Sequence, residues 1–304
     1  MARSPAFRGG DAGLSFSPAF PLCKTSPAPR LVLRPLASYF GLARCGLSLL
    51  FSPISYSYVD ILGIDIGGSG IKGAPVNIET GRLTAPRYRI DTPHPATPKA
   101  VAKTVQKIAQ NFEWKGRIGC AIPARVKHGV LSTATNIDKG WLGTDASLVF
   151  MKKTGLPVHV INDADAAGVA EMAFGSGRSR PDLVLLLTIG TGIGSALFIE
   201  QMLVPNTELG HVELNGKNGE LFASDRTRQR KKLTWKQWAK RLQKYLDRIE
   251  FLLAPDLIII GGGVSRPERL EKYFDRLKTT AELVPATLQN EAGIIGAAFS
   301  ARHL

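Results

Sequence analysis

Gly63-Ile64-Asp65-Ile66-Gly67-Gly68-Ser69-Gly70-Ile71-Lys72-Gly73 decides how the rest of the chain is read. An apolar run, Val59–Ile66, enters a glycine-rich turn, and a second run, Ile71–Ile78, leaves it at once. Strand, turn, strand is a hairpin rather than the start of a βαβ unit. Glycines let such a turn approach a ligand closely, and successive backbone N–H groups there form a concave anion site. Asp65 is the odd residue, a carboxylate inside an apolar strand. Burying it without a partner is costly, so it is expected to face a cleft and hold Mg²⁺, directly or through water. One GxG-type turn alone is better explained as a plain hairpin ending in an aspartate.

The device recurs about half a chain later. Leu187-Thr188-Ile189-Gly190-Thr191-Gly192-Ile193-Gly194-Ser195 is again strand, glycine turn, strand, with Thr188 and Thr191 adding hydroxyls for phosphate oxygens. Two such hairpins can clamp one phosphate chain between them. No GxxxxGK[ST] is present, and a strand rather than a helix follows each turn, which excludes a Walker A loop and a Rossmann fingerprint. A third cluster, Gly261-Gly262-Gly263, follows the apolar run Leu257–Ile260. It reads as a tight strand-to-helix turn or as a flat surface for a base or ribose.

Between these landmarks the pattern alternates. Arg82–Ile90, Lys115–Ile122, Arg125–Leu131 and Leu156–Ile161 read as strands, and Pro98–Phe112 and Ala164–Phe174 as helices. Leu233–Leu253, Arg266–Leu277 and Asn290–Arg302 read as further helices. The chain thus holds two halves, each opening with strand, glycine turn and strand. The 304 residues suit two modest domains, and 44% hydrophobic with 21% charged content is ordinary for a globular protein. The net charge of +14 favours anionic partners without choosing among them. Cys23, Cys45 and Cys120 form no CxxC pair, which argues against a disulfide framework and a cysteine-based zinc site.

Residues 1–57 differ. They are rich in Arg, Ser and Pro and hold one acidic residue, Asp11. The apolar stretch around Leu47–Phe51 is stopped by Pro53 and is too short to span a bilayer. The segment reads either as an organellar transit peptide or as a disordered stretch from a wrong translation start. The expected location is cytoplasmic in the second case, and a plastid or other organelle in the first.

The three glycine clusters, in this order and spacing, resemble the ROK family of sugar kinases and repressors, within the actin/hexokinase-like superfamily. The resemblance runs from about Val59 to the C-terminus. Gly63–Gly73, Ala121–Gly129, Thr135–Gly143, Asn162–Gly168 and Glu208–Glu213 are similar to its polyphosphate/ATP-dependent glucokinase subgroup. Typical members carry a cysteine-rich zinc motif after Glu-x-Gly-His. Glu208-Leu209-Gly210-His211 is present here and no cysteine follows, as in the zinc-free subgroup. The resemblance implies a two-lobed ribonuclease H-like α/β fold with a duplicated mixed sheet. A small lobe would cover 58–162, with the helix at 290–304 packing back on it, and a large lobe 163–289. It also implies glucose as acceptor, ATP and/or polyphosphate as donor with Mg²⁺, and a homodimer. No nucleic-acid motif or membrane span accompanies it.

Transfer to a sugar needs a carboxylate near the attacking hydroxyl. Asn162-Asp163-Ala164-Asp165 follows a strand and opens a helix, where Asn and Asp are also favoured as caps. By resemblance Asp163 is the general base and Asn162 a sugar ligand, leaving Asp165 as a cap or first-turn acid. Glu208 and His211, three apart, share a helical face, and by resemblance hold sugar hydroxyls with Asn136 and, more weakly, Glu220. Asp138 and Trp141 fit equally a turn acid and a packing aromatic. The phosphate chain is assigned to Asp65, Gly67, Gly68, Ser69, Gly70, Lys72, Thr188, Gly190, Thr191 and Gly192, with Gly261, Gly262 and Gly263 for the nucleoside. The basic run from Arg226 to Arg248 is either a solvated face or, with Lys72, a surface for polyphosphate.

Overall fold

In the computed structural model, described for residues 59–134, 137–214 and 216–304, both hairpins form where expected. Asn136 and the reading of residues 1–57 lie outside the described residues. β1 (Asp60–Ile66) and β2 (Gly70–Asn77) are antiparallel, with Asp65 opposite Lys72 and Ile66 opposite Ile71. The third strand expected over Arg82–Ile90 is instead two pieces, β3 (Arg82–Leu83) and β4 (Tyr88–Asp91), both on β2. Pro86 between them cannot donate to a ladder.

α1 (Pro98–Asn111) starts with proline and is capped by Thr97. It buries Val101, Val105 and Ile108 on the sheet. β5 (Ile118–Ile122) lies parallel to β1. Arg125–Leu131 proves to be a small hairpin, β6 (Val126–Lys127) and β7 (Val130–Leu131), turned at His128 and Gly129, both at positive φ. α2 (Ala146–Thr154) leads to β8 (Val158–Asn162), parallel to β5, and then to α3 (Asp163–Phe174). The first sheet runs β3-β2-β1-β5-β8, with β4 also on β2.

The second sheet repeats that order. β9 (Val184–Ile189) and β10 (Ile193–Ile199) are the hairpin, and β11 (Met202–Val204) extends it. After the small hairpin β12 (Glu213–Leu214) and β13 (Lys217–Asn218) come α4 (Gly219–Ala223), α5 (Asp225–Arg230) and α6 (Trp235–Leu253). β14 (Leu257–Gly261) lies parallel to β9, and β15 (Glu282–Pro285) parallel to β14, giving β11-β10-β9-β14-β15. Strand for strand, β9 stands where β1 stands and β10 where β2 stands. The duplicated mixed sheet is therefore present, and Thr188 occupies the position of Asp65.

Between β14 and β15, the helix expected over Arg266–Leu277 is cut to α7 (Pro267–Leu270) and a 3-10 turn at Phe274–Arg276. Tyr273 there stacks on Trp235 at 5.7 Å and meets Trp238 edge-on at 4.8 Å, so aromatic packing overrides the helical spacing. α8 (Ala292–Ser300) covers β1, β5 and β2 and lies along α3. A side chain at Gly296 would strike the carbonyl of Ala166, so the two backbones touch only because that position is glycine. α3 also packs on β9 and β10, so the α3–α8 pair joins both sheets, and Ala164 at the start of α3 lies against Gly194 of β10.

Candidate active site

The turns are matched in detail. In the first, Gly67 N–H donates to Gly70 O at 3.1 Å; in the second, Gly190 N–H donates to Gly192 O at 3.0 Å. Those bonds close the turns and use up the Gly67 and Gly190 donors. The N–H groups of Gly68, Ser69, Thr191 and Gly192 make no hydrogen bond among the described residues and are left for an anion. Arg89 pins the first turn through Ser69 O at 2.9 Å, and the Thr92 hydroxyl donates to Gly67 O.

Asp65, at the end of β1, is partly shielded and lies 3.8 Å from Lys72 Nζ. Burial raises its carboxyl above the usual range, opposed by the charges of Lys72 and Arg87. Arg87, held by a bond to Asn290 O at 3.2 Å, is a cation the sequence did not single out. Lys72, Arg87 and Arg89 make the surroundings of the first turn positive, as a phosphate site requires.

Asp163 opens α3, and Asn162 caps it. The Asn162 oxygen accepts from Ala164 N–H at 2.9 Å and Asp165 N–H at 3.0 Å, while its amide donates to Ala124 O at 3.1 Å. Asn162 is thus built into the helix cap, with one amide N–H beyond these bonds. Asp163, by contrast, has more than a third of its surface open. Enclosure by the surrounding protein, then the charge of Asp65 and, more weakly, that of Glu208, push its carboxyl up to about 7. The Ala164 N–H, 2.9 Å away, pulls the other way. Asp163 is thus open to solvent and still feels the charges of Asp65 and Glu208. Asp65, Asp163 and Glu208 therefore act within one electrostatic neighbourhood.

Asp165 is a first-turn acid of α3, and a buried one. It is 1% exposed and accepts from Asn206 N–H at 2.8 Å, and burial, first, lifts its carboxyl to about 7. Asn206 in turn bonds both the N–H and the C=O of Val126, at 2.7 and 2.8 Å. This strap ties α3 to the loops carrying Arg125 and Glu208. Arg125, whose charge lowers Glu208 while burial raises it, was also missed in the sequence.

Glu208 and His211 flank a 3-10 turn, Leu209–His211, with Glu208 Oε2 3.8 Å from His211 Nε2. Asn218 donates to His211 Nδ1, which leaves the proton on Nε2, facing Glu208. The Asn218 oxygen accepts from Glu220 N–H, and the Glu220 carboxylate lies against Gly192, where a larger residue would collide. Glu220 is therefore beside the second turn as well as Glu208. Asp138 is the turn acid, accepting from Gly140 N–H at 2.8 Å, and Trp141 is fully buried, bonded to Ala96 O and packed on Phe150. Both border a cavity of about 240 Å³ that Gly67 and Gly68 also line.

The third cluster closes on β9. Gly262, at φ +80°, lies where a side chain would strike Ile189, and Gly263 O accepts from Arg269. Gly261 is buried, so only Gly262 and Gly263 reach solvent. Among the described residues no group of three His, Cys, Asp or Glu is placed to hold a metal, and no helix is long and apolar enough to cross a membrane.

The chain is similar to known proteins in sequence and in fold. Residues 61–230 match the family described as ROK family. A polyphosphate glucokinase of Mycobacterium tuberculosis (strain CDC 1551 / Oshkosh) is 47% identical over 78% of this chain and 89% of the relative. The structure of an inorganic polyphosphate/ATP-glucomannokinase from Arthrobacter sp. strain KM matches with a TM-score of 0.76 and 43% identity, over 80% of this chain and 98% of that one. A ROK family glucokinase from Streptomyces griseus, solved with glucose and AMPPNP, shares the fold, with a TM-score of 0.69 and 24% identity over 81% and 100% of the two chains.

Proposed function

The chain belongs to the ROK family, and from that premise we propose that it is a glucokinase, phosphorylating the 6-hydroxyl of glucose from polyphosphate, ATP or both. The observation that carries the reading is the Asp163 carboxylate at the N-terminus of α3, within the field of Asp65, whose strand leads into the first of two matched glycine turns. Asp163 takes the proton from the attacking hydroxyl. The free N–H groups of the two turns, with Lys72 and Arg87, hold the phosphate oxygens where charge develops. Glu208 and His211 orient the sugar, and Arg125 and the Asp165–Asn206 strap hold that wall in place. We divide the lobes between β8 and α3, at 162/163, which puts the base on the hinge side of the cleft.

Mg²⁺ fits the residues present. It keeps several waters and is commonly held by one or two carboxylates plus substrate phosphates. Asp65 supplies such a carboxylate next to the first turn, and the ion would neutralise phosphate charge there. The family resemblance also supports a homodimer. A relative named as a glucomannokinase makes mannose the second acceptor to test.

The test is glucose 6-phosphate formation by the purified full chain, with ATP and with polyphosphate in separate reactions. We expect turnover with at least one donor, in the range of about 1–100 s⁻¹ usual for kinases. No product from either donor, with glucose or mannose, would reduce the protein to a silent sugar binder.

A further inference from the structure

β8, α3, the β10–β11 turn and the end of α8 enclose a groove of about 560 Å³ that the site as described does not use. That volume lies in the range of small-molecule sites. Alternation along β8 supplies one wall: Val158 and Val160 enter the first core, so His159 and Ile161 face the groove. Val169 and Met172 of α3, Phe198 of β10 and Phe299 of α8 make the rest of it apolar. The groove is remote from the glycine turns. Phe198 lies near the far end of β10, about 17 Å along the strand from Ile193. Met172 stands about 14 Å along α3 from Asp163.

Two basic side chains line the groove, Arg302 and His159, and no acid does. The Arg302 guanidinium lies 3.8 Å over the Phe299 ring and donates to Phe299 O at 2.8 Å. It is half-buried and forms no ion pair among the described residues. Burial works against its charge with no acid to offset the effect. His159, also half-buried, is disfavoured as a cation for the same reason. A cation withdrawn from water without a partner is costly, and an entering anion relieves that cost.

We propose that this groove binds a small acid with an apolar body, its acidic group on Arg302 and the His159 ring and its body on Met172, Phe198 and Phe299. Such a ligand would bind whichever donor or sugar the enzyme uses. A second copy of the chain fits less well, because a twofold contact centred here would set Arg302 and His159 against their own counterparts.

The test uses the full-length protein with anilinonaphthalene sulfonate, an aromatic acid that fluoresces in apolar surroundings, and with the same fluorophore lacking the sulfonate. We expect the acid to bind about tenfold more tightly than the uncharged form, the gain typical of one charge-assisted hydrogen bond. Arg302→Gln should remove that difference. Met202→Glu, at a side chain 65% exposed on the same groove, should weaken the acid about tenfold by repulsion and leave the uncharged form within about twofold. Both variants should melt with wild type. Sodium octanoate and sodium naphthoate distinguish a chain from a ring as the preferred body, and at least one should displace the probe. Glucose and ATP should not. Equal binding of the two fluorophores, no effect of either substitution, no competition by either acid, or displacement by glucose or ATP would each overturn the site and leave the kinase reading standing. A dimer that Met202→Glu dissociates would overturn it too, by giving the groove to a second copy.

Discussion

Asp163→Asn is expected to lower kcat by about 10²–10⁴-fold, the usual contribution of a positioned general base, with KM for glucose little changed. Asparagine keeps the shape and the helix-start position but cannot take the hydroxyl proton. The wild-type pH profile should carry the same signature. The base works only when ionised, and its carboxyl is pushed up to about 7. kcat/KM should therefore rise with pH, turn near 7 and stay flat above it. Stability moves the opposite way. A carboxyl raised in the folded state contributes stability that is complete below the unfolded value and is lost as pH rises through about 7. Asp163→Asn removes that loss, so the variant should melt no lower than wild type at pH 8, and higher if anything. A variant that is inactive because it is unfolded would fail this check at once. Near-normal kcat in a folded variant would remove Asp163 from the reaction.

The second large effect is expected from Asp65→Asn, a fall in kcat of about 10²–10³-fold, the cost typical of losing one preorganised electrostatic group. The substitution removes the carboxylate beside Lys72 and the first glycine turn. It has a second consequence that separates it from general damage. The Asp65 charge is one of the causes raising Asp163, so its removal should lower that carboxyl. The acid limb of the residual activity should move below 7. A loss of rate with the limb unmoved would mean that the two carboxylates do not share a site.

The hairpins were legible because glycine turns between apolar runs have few other structures open to them. Their repetition pointed to two like halves, while the duplicated sheet and the role given to Asp163 came from the family resemblance, since a strand ending on Asn-Asp at a helix start fits a cap equally well. What could not be read depends on distant parts of the chain. Arg87 and Arg125 are single cations on short connections, and nothing local marks them as neighbours of Asp65 and Glu208. Asn162 was assigned to the sugar by motif position, which does not reveal the three hydrogen bonds that also make it the cap of α3. Asp165 read as a cap or first-turn acid; it does lie in the first turn of α3, and its burial against Asn206, forty-one positions along, could not be read locally. The helix expected at Arg266–Leu277 failed for the same reason: Tyr273 is worth more against Trp235 and Trp238 than in helical register.

The most direct measurement is a crystal structure of the full chain with glucose and a non-hydrolysable ATP analogue. The sugar's 6-hydroxyl should lie within hydrogen-bond reach of an Asp163 oxygen, with the terminal phosphates spanning the Gly67–Gly70 and Gly190–Gly192 turns. Glucose bound away from Asp163, or phosphates touching neither turn, would contradict the account.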